Sequence, residues 1–149
     1  MERTLILVKP DGVQRGLAFE ILGRLERRGL KLVGLKLMRV TPALAGRHYQ
    51  EHEGKSFYNG LIEYITSAPI VAAVFEGPDA IAAARATMGT TNPINADAGT
   101  IRGDLAIQTG RNLVHGSDGP ESAAREIGLF FSPDELQSYD RAIDRWLLE

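Results

Sequence analysis

The chain predicts an α+β fold: a ferredoxin-like split βαβ sandwich, with a four-stranded antiparallel sheet and helices on one face. Three observations carry this. Four short apolar runs alternate with helical patterns in the order β-α-β-(αα)-β-α-loop-β-α. A two-helix insert follows the second strand. The 149 residues suit a single domain spanning 1–149, long enough to need neither disulfides nor a structural metal. A doubly wound parallel sheet ranks second, because four strands and a long helical insert fit it poorly.

The elements follow in order. Thr4–Val8 is a β-branched apolar run that stops at the turn sequence Lys9-Pro10-Asp11-Gly12. Leu17–Arg28 reads as a helix with Leu17, Ile21, Leu22 and Leu25 on one face and Gly29 as its stop. Lys31–Val40 is a strand on which Val33, Leu35 and Leu37 alternate to one side. Thr41-Pro42 is an N-cap followed by proline at the first helical position. That helix runs to about Glu51 and a second from about Phe57 to Thr66. Ile70–Phe75 is a buried strand, and Asp79–Met88 an Ala-rich helix ending at Gly89. The stretch 89–112 is rich in Gly, Pro, Asn and Asp and holds at most one or two helical turns. A loop of that length between firm elements is functional. Asn112–His115 is the last strand, Asp118–Glu121 has capping-box spacing, and Ser132-Pro133-Asp134-Glu135 repeats that box more cleanly.

Composition narrows the function. There are 17 Lys and Arg against 19 Asp and Glu, a net charge of -2, which argues against a dedicated nucleic-acid binder. With no cysteine, disulfides, thiolate metal sites and cysteine nucleophiles are all absent. No apolar run approaches the ~18 residues of a membrane span, and the first residues lack a signal peptide's apolar core. A cytoplasmic protein is expected.

Two motifs mislead. Gly54-Lys55-Ser56 imitates the end of a Walker A loop, but Tyr49 stands where its first glycine belongs and a helix precedes it. His48-Tyr49-Gln50-Glu51-His52 imitates an inverted zinc-protease pattern, but reads better as a solvated helix face.

Three other pieces point to one chemistry. Lys9 closes the first strand. Arg85, Arg102 and Arg111 are the only basic residues between Asp79 and Pro120, each near Gly, Thr or Asn. Guanidinium forks bind phosphate oxygens bidentately. His115 ends an apolar strand before Gly116-Ser117-Asp118 and a helix start. A neutral imidazole is a competent nucleophile, and a glycine beside it clears room for an incoming group. Singly, each piece is ordinary: an edge lysine, surface ion pairs, a capping histidine. Together they describe a possible phosphoryl-transfer site. A non-catalytic nucleotide or single-stranded nucleic-acid module is the alternative, although the aromatic signature of RNA-binding sheets is missing.

Lys9-Pro10-Asp11-Gly12-Val13-Gln14-Arg15-Gly16, Thr91-Asn92-Pro93, Gly99-Thr100-Ile101-Arg102-Gly103-Asp104 and Asn112-Leu113-Val114-His115-Gly116-Ser117-Asp118 resemble the motifs of nucleoside diphosphate kinases over essentially the whole chain. The resemblance implies ping-pong transfer of a γ-phosphoryl group from a nucleoside triphosphate, mainly ATP, to a nucleoside diphosphate, with His115 as the phosphohistidine. It implies phosphate and sugar contacts from Lys9, Arg85, Thr91, Arg102 and Asn112. It implies a base slot of Phe57 and Leu61 on a two-helix jaw, and support for the histidine from Tyr49, Ser117 and Glu126. It implies Mg²⁺ carried in on the nucleotide, with no protein metal site beyond a weak water-mediated role for Asp118. It also implies a homo-oligomer, hexamer over tetramer, in which the tail around Trp146 docks. Ser56, Ala98 and Thr90 depart from the usual residues without touching a chemical role. His48 and His52 are bystanders in this reading.

Overall fold

A computed structural model describes residues 1–149. The four strands are β1 (Glu2–Val8), β2 (Lys31–Met38), β3 (Ile70–Gly77) and β4 (Val114–Gly116), in the spatial order β2-β3-β1-β4, all antiparallel. The helices are α1 (Pro10–Gln14), α2 (Ala18–Arg27), α3 (Pro42–His48), α4 (Tyr58–Ile65), α5 (Ala80–Met88), α6 (Ile101–Leu105), α7 (Pro120–Phe130) and α8 (Asp144–Leu147). This is the expected α+β sandwich, with two differences in detail.

First, helices cover both faces of the sheet, not one. Ile6, Val8 and Phe75 pack under α2 and α5; Leu5, Leu7 and Val74 pack under α3, α4 and α7. This is why Thr4–Val8 is a continuous apolar run: all five residues are buried. It also leaves the central strands no open face on which RNA bases could stack. Second, a bulge between Leu32 and Gly34 puts two β2 residues opposite one on β3. Val33 therefore does not share a side with Leu35 and Leu37. It is buried at 3% exposure, whereas Leu37, on the sheet's edge strand, is 68% exposed.

The chain's punctuation is partly as expected. The Thr41 hydroxyl accepts from the Leu44 amide and caps α3. The Ser132 capping box forms but holds only a short 3₁₀ turn. The Asp118–Glu121 box does not form, because Gly119 is the N-cap of α7 and Asp118 instead accepts from the Ser122 hydroxyl at 2.5 Å. Lys9-Pro10-Asp11-Gly12 is not an isolated turn but the entry to α1, with Pro10 in its first turn. The 89–112 stretch holds α6 and two 3₁₀ turns. No helix is long and apolar enough to cross a membrane.

β4 fixes where the chemistry sits. His115 pairs with Leu7 of β1, so its side chain lies on the face covered by α3 and α7. Gly116 faces the other way: a Cβ there would lie 2.6 Å from Met88 Sδ. Its missing side chain makes room for the core, not for an incoming group.

Candidate active site

β1, α3, α5, α6, β4 and α7 converge on a cleft of ≈ 280 Å³, only two of whose 14 lining residues are hydrophobic. Such a lining suits a charged ligand. Lys9, Tyr49, Arg85, Thr91, Arg102, Asn112, His115 and Glu126 all line it. Ser117 is fully buried beneath them. Phe57 and Leu61 do not line the cleft: Phe57 is 50% exposed on the outer jaw, against His52. Arg111 also lies outside, its guanidinium 4.1 Å above the Tyr64 ring.

The histidine is oriented from behind. His115 Nε2 lies 3.0 Å from Glu126 Oε1, and the Ser117 hydroxyl donates to the same oxygen at 2.7 Å. Burial alone pushes the Glu126 carboxyl up, but the His115 and Ser117 hydrogen bonds outweigh it and hold the group below the ordinary carboxylate range. An ionised carboxylate only accepts, so Nε2 carries the ring proton and Nδ1 keeps the lone pair. Nδ1 has no protein partner and is not among the buried, unpaired atoms, so it is open to solvent.

The cations are held as firmly. Arg102 is 5% exposed and donates to three carbonyls: Nε to Asn112 at 3.2 Å, Nη1 to Gly89 at 3.0 Å and Nη2 to Val114 at 2.5 Å. It therefore ties the long loop to β4, and of a guanidinium's five N–H groups two remain. Arg85 donates to the Gly116 carbonyl. Lys9 Nζ donates to Asn112 Oδ1 at 2.6 Å, and Asn112 Nδ2 donates to the Thr91 carbonyl at 2.9 Å. Gly103 lets α6 fold tightly against the loop before it, since a Cβ there would lie 2.0 Å from the Asp97 carbonyl oxygen.

Positive charge is in excess here. Burial, then the nearby Arg102, pushes the Lys9 ammonium down to about 8; burial, then Arg85, pushes Arg102 down to about 10. Cations strained in this way are relieved by an anion. The unfolded Lys9 titrates near 10.5, so between about pH 8 and 10.5 the unfolded chain holds a proton the folded one has shed. This group's contribution to stability therefore rises across that window. An anion bound beside it would reverse the depression. Binding of inorganic pyrophosphate at pH 9 is expected to take up a fraction of a proton, read by calorimetry in two buffers of different ionisation enthalpy. Lys9→Met should abolish that uptake, and equal uptake by both proteins would refute the assignment.

The sequence did not show the roles of His48, Asp11 and Tyr64. His48 is buried at 4% exposure, with its ring centroid 4.9 Å from that of His115, so in position it is no bystander. Asp11 accepts from the Leu113 amide through Oδ2 and from the Tyr64 hydroxyl through Oδ1. Leu113 needs that grip, because its φ of 74° is strained for a leucine. No local pattern reveals a pin between residues 102 positions apart. Asp11→Ala leaves two donors without their acceptor and is expected to cost about 2–4 kcal/mol. Tyr64→Phe should cost about 1 kcal/mol, both read as urea midpoints.

A cationic cleft around an oriented imidazole with a free Nδ1, on this sandwich, defines a phosphotransferase. Which one follows from the proteins this chain resembles. The nucleoside diphosphate kinase family model matches residues 2–136. A nucleoside diphosphate kinase of Thermomicrobium roseum is 63% identical over 148 residues, 99% of each chain. That of Carboxydothermus hydrogenoformans is 60% identical over 149 residues, all of both chains. Among solved structures, a halophilic nucleoside diphosphate kinase from Halobacterium salinarum in complex with CDP superposes with a TM-score of 0.97 at 51% identity, covering 99% of each chain. A family member from Babesia bovis superposes with a TM-score of 0.97 at 44% identity, covering 99% of this chain and all of that one. The chain belongs to the nucleoside diphosphate kinase family. Its reaction is ping-pong transfer of a γ-phosphoryl group from a nucleoside triphosphate to a nucleoside diphosphate through a phosphohistidine.

Proposed function

We propose that His115 is the residue that carries the phosphoryl group. The observation behind this is the pairing of Nε2 with Glu126, which leaves the Nδ1 lone pair free in the cleft. Nδ1 attacks the γ-phosphorus of the donor, the P–Nδ1 bond forms, and the bond to the β–γ bridging oxygen breaks. The nucleoside diphosphate leaves with that electron pair. Positive charge appearing on the ring is met through Nε2–H by Glu126, with Ser117 fixing the carboxylate. An incoming β-phosphate oxygen then reverses the steps. Arg85, with its uncommitted N–H groups, and the two left on Arg102 hold phosphate oxygens in place. Thr91 adds a hydroxyl, while Lys9 and the spare Asn112 N–H reach the ribose. Phe57, outside the lining but against His52, stacks on the base with Leu61 lining the same slot; a π-face accepts any base, which suits a substrate class and not one nucleoside. Tyr49, whose phenol burial pushes up to about 12, remains a neutral wall.

Mg²⁺ fits as a passenger of the nucleotide. Glu126 is engaged by His115 and Ser117, so Glu51 and Asp118 are the carboxylates left at the cleft to meet it, directly or through water. When bound it supplies charge neutralisation on the phosphate oxygens. The nucleotide-bound Halobacterium relative supports a nucleotide in this cleft. One domain over 1–149 acting in the cytoplasm completes the reading.

The test is γ-labelled ATP followed by a second, unlabelled nucleoside diphosphate. An acid-labile label should appear on the peptide bearing His115 and chase onto the acceptor. Label elsewhere on the chain, or transfer only when both nucleotides are present together, would overturn the assignment.

The chain also works as a homo-oligomer, a hexamer ahead of a tetramer. Trp146 stays 77% exposed, with only Arg145 over its ring, so it does not dock on its own chain. Phe19 is 80% exposed, and Leu37 projects from the edge strand β2. Apolar side chains left this open mark association surfaces. Light scattering should give six subunits, and Trp146→Glu should lower that number.

A further inference from the structure

His48 is the buried group that phosphoryl transfer leaves unused. Its Nδ1 is one of only two buried side-chain polar atoms with no hydrogen-bond partner, the other being the Thr4 hydroxyl. Its ring meets that of His115 edge-on, at 83° between planes, with Phe130 and Tyr49 against its other sides. Burial, with His115 beside it, pushes the imidazole down to about 3, so it is a neutral donor ligand at physiological pH. His48, His115 and Glu126 each present a ligand atom, all within 4.8 Å of one another.

We propose that these three side chains form a binding site for Zn²⁺, or a divalent transition ion of similar preference, and that its occupation switches the nucleophile off. Two imidazoles and a carboxylate are a set that zinc takes with an open fourth position, and the adjoining cleft supplies that position for water. Bonds of roughly 2.0–2.2 Å in a tetrahedron put neighbouring ligand atoms about 3.3 Å apart. The 3.0 Å between His115 Nε2 and Glu126 Oε1 is already close to that, so closing the site falls to His48. Mg²⁺ prefers oxygen ligands and keeps its waters, so it does not compete for the two imidazoles. The partner that helix spacing offers His48 is His52, and it is not in the cluster; it faces Lys55 and Phe57.

The consequence follows from tautomer chemistry. A metal at His115 Nε2 takes the lone pair of that nitrogen, so the ring proton moves to Nδ1. Nδ1 then has no lone pair with which to attack phosphorus. This shut-off rests on His115 being the nucleophile; the binding of the ion does not.

Co²⁺ titrated into the nucleotide-free protein tests both parts. One equivalent per chain should develop the visible absorption of a four- or five-coordinate ion, and Zn²⁺ should displace it. His115→Gln, Glu126→Gln and His48→Gln should each weaken binding at least about tenfold, and His52→Gln should leave it unchanged. Should the buried His48 variant fail to fold, the other two decide. No absorption at millimolar Co²⁺, unaltered affinity in His115→Gln, or loss in His52→Gln would overturn the site. At fixed free Mg²⁺, saturating Zn²⁺ should suppress labelling from γ-labelled ATP, and chelation with Mg²⁺ resupply should restore it. Labelling that persists in zinc-loaded protein would overturn the shut-off, whereas absence of label in zinc-free protein supplied with Mg²⁺ would count against the phosphohistidine assignment alone.

Discussion

His115→Gln is expected to lose phosphoenzyme formation entirely and to lower kcat/KM on the order of 10⁶-fold, the scale set by removing a covalent nucleophile. At about 1.4 kcal/mol per decade, that is about 8 kcal/mol of transition-state stabilisation. The folded state should hardly notice, because the His115 side chain is already 25% exposed and packs into no apolar cluster. Thermal melting and the labelling assay together separate these two claims. Glu126→Gln supplies the contrast. A glutamine amide can donate as well as accept, so it no longer forces the proton onto Nε2. Rings protonated at Nδ1 cannot attack, and those that do attack lose the negative charge that meets the developing imidazolium. The label should still form on His115, but slower by up to about 10⁴-fold, the scale set when a histidine loses the acidic partner that fixes its tautomer. Full activity in Glu126→Gln would mean that ring orientation comes from packing against His48 instead.

Much of this architecture was legible in the chain. The sheet and its helices follow from apolar periodicity; Arg85 and Arg102 stand out because so few basic residues surround them, and Lys9 and His115 because each closes an apolar strand. Which helices cover which face was less visible: an unbroken run such as Thr4–Val8 signals burial on both sides, but not that α3, α4 and α7 supply the second cover. The bulge at Leu32 and Gly34 defeats alternation, because inserting one residue moves every later side chain to the other face. Long-range pins were hidden for a different reason. Asp11 holding Leu113, and His48 wedged beside His115, join residues whose spacing follows no helical or strand period. His48 and His52 show the cost of trusting period alone: the i,i+4 pair is adjacent on a helix diagram, yet α3 ends at His48 and a 3₁₀ turn carries His52 away.

Arg102→Met is expected to show that one side chain holds both the loop and the phosphate. Three carbonyls, of Gly89, Asn112 and Val114, lose a charged donor in a buried place. Relief of the crowded positive charge offsets part of that loss, leaving a net cost of about 3 kcal/mol. For a chain of this size that is about 6–12 °C in Tm. Nucleotide affinity should fall at least about 100-fold, since the phosphate also loses a buried, charge-assisted partner. Arg102→Lys separates the two roles. Its ammonium restores the charge but is a single point that cannot span three carbonyls and a phosphate, so it should recover part of the affinity and little of the melting temperature. The titration of Lys9 gives an independent check. Arg102 is the second cause of its depressed pKa, after burial. In Arg102→Met the proton uptake on pyrophosphate binding should therefore shift to higher pH, and in Arg102→Lys it should stay near the wild-type window. A melting temperature unchanged in Arg102→Met would mean that the three carbonyls are satisfied by water, and that the guanidinium serves the phosphate alone.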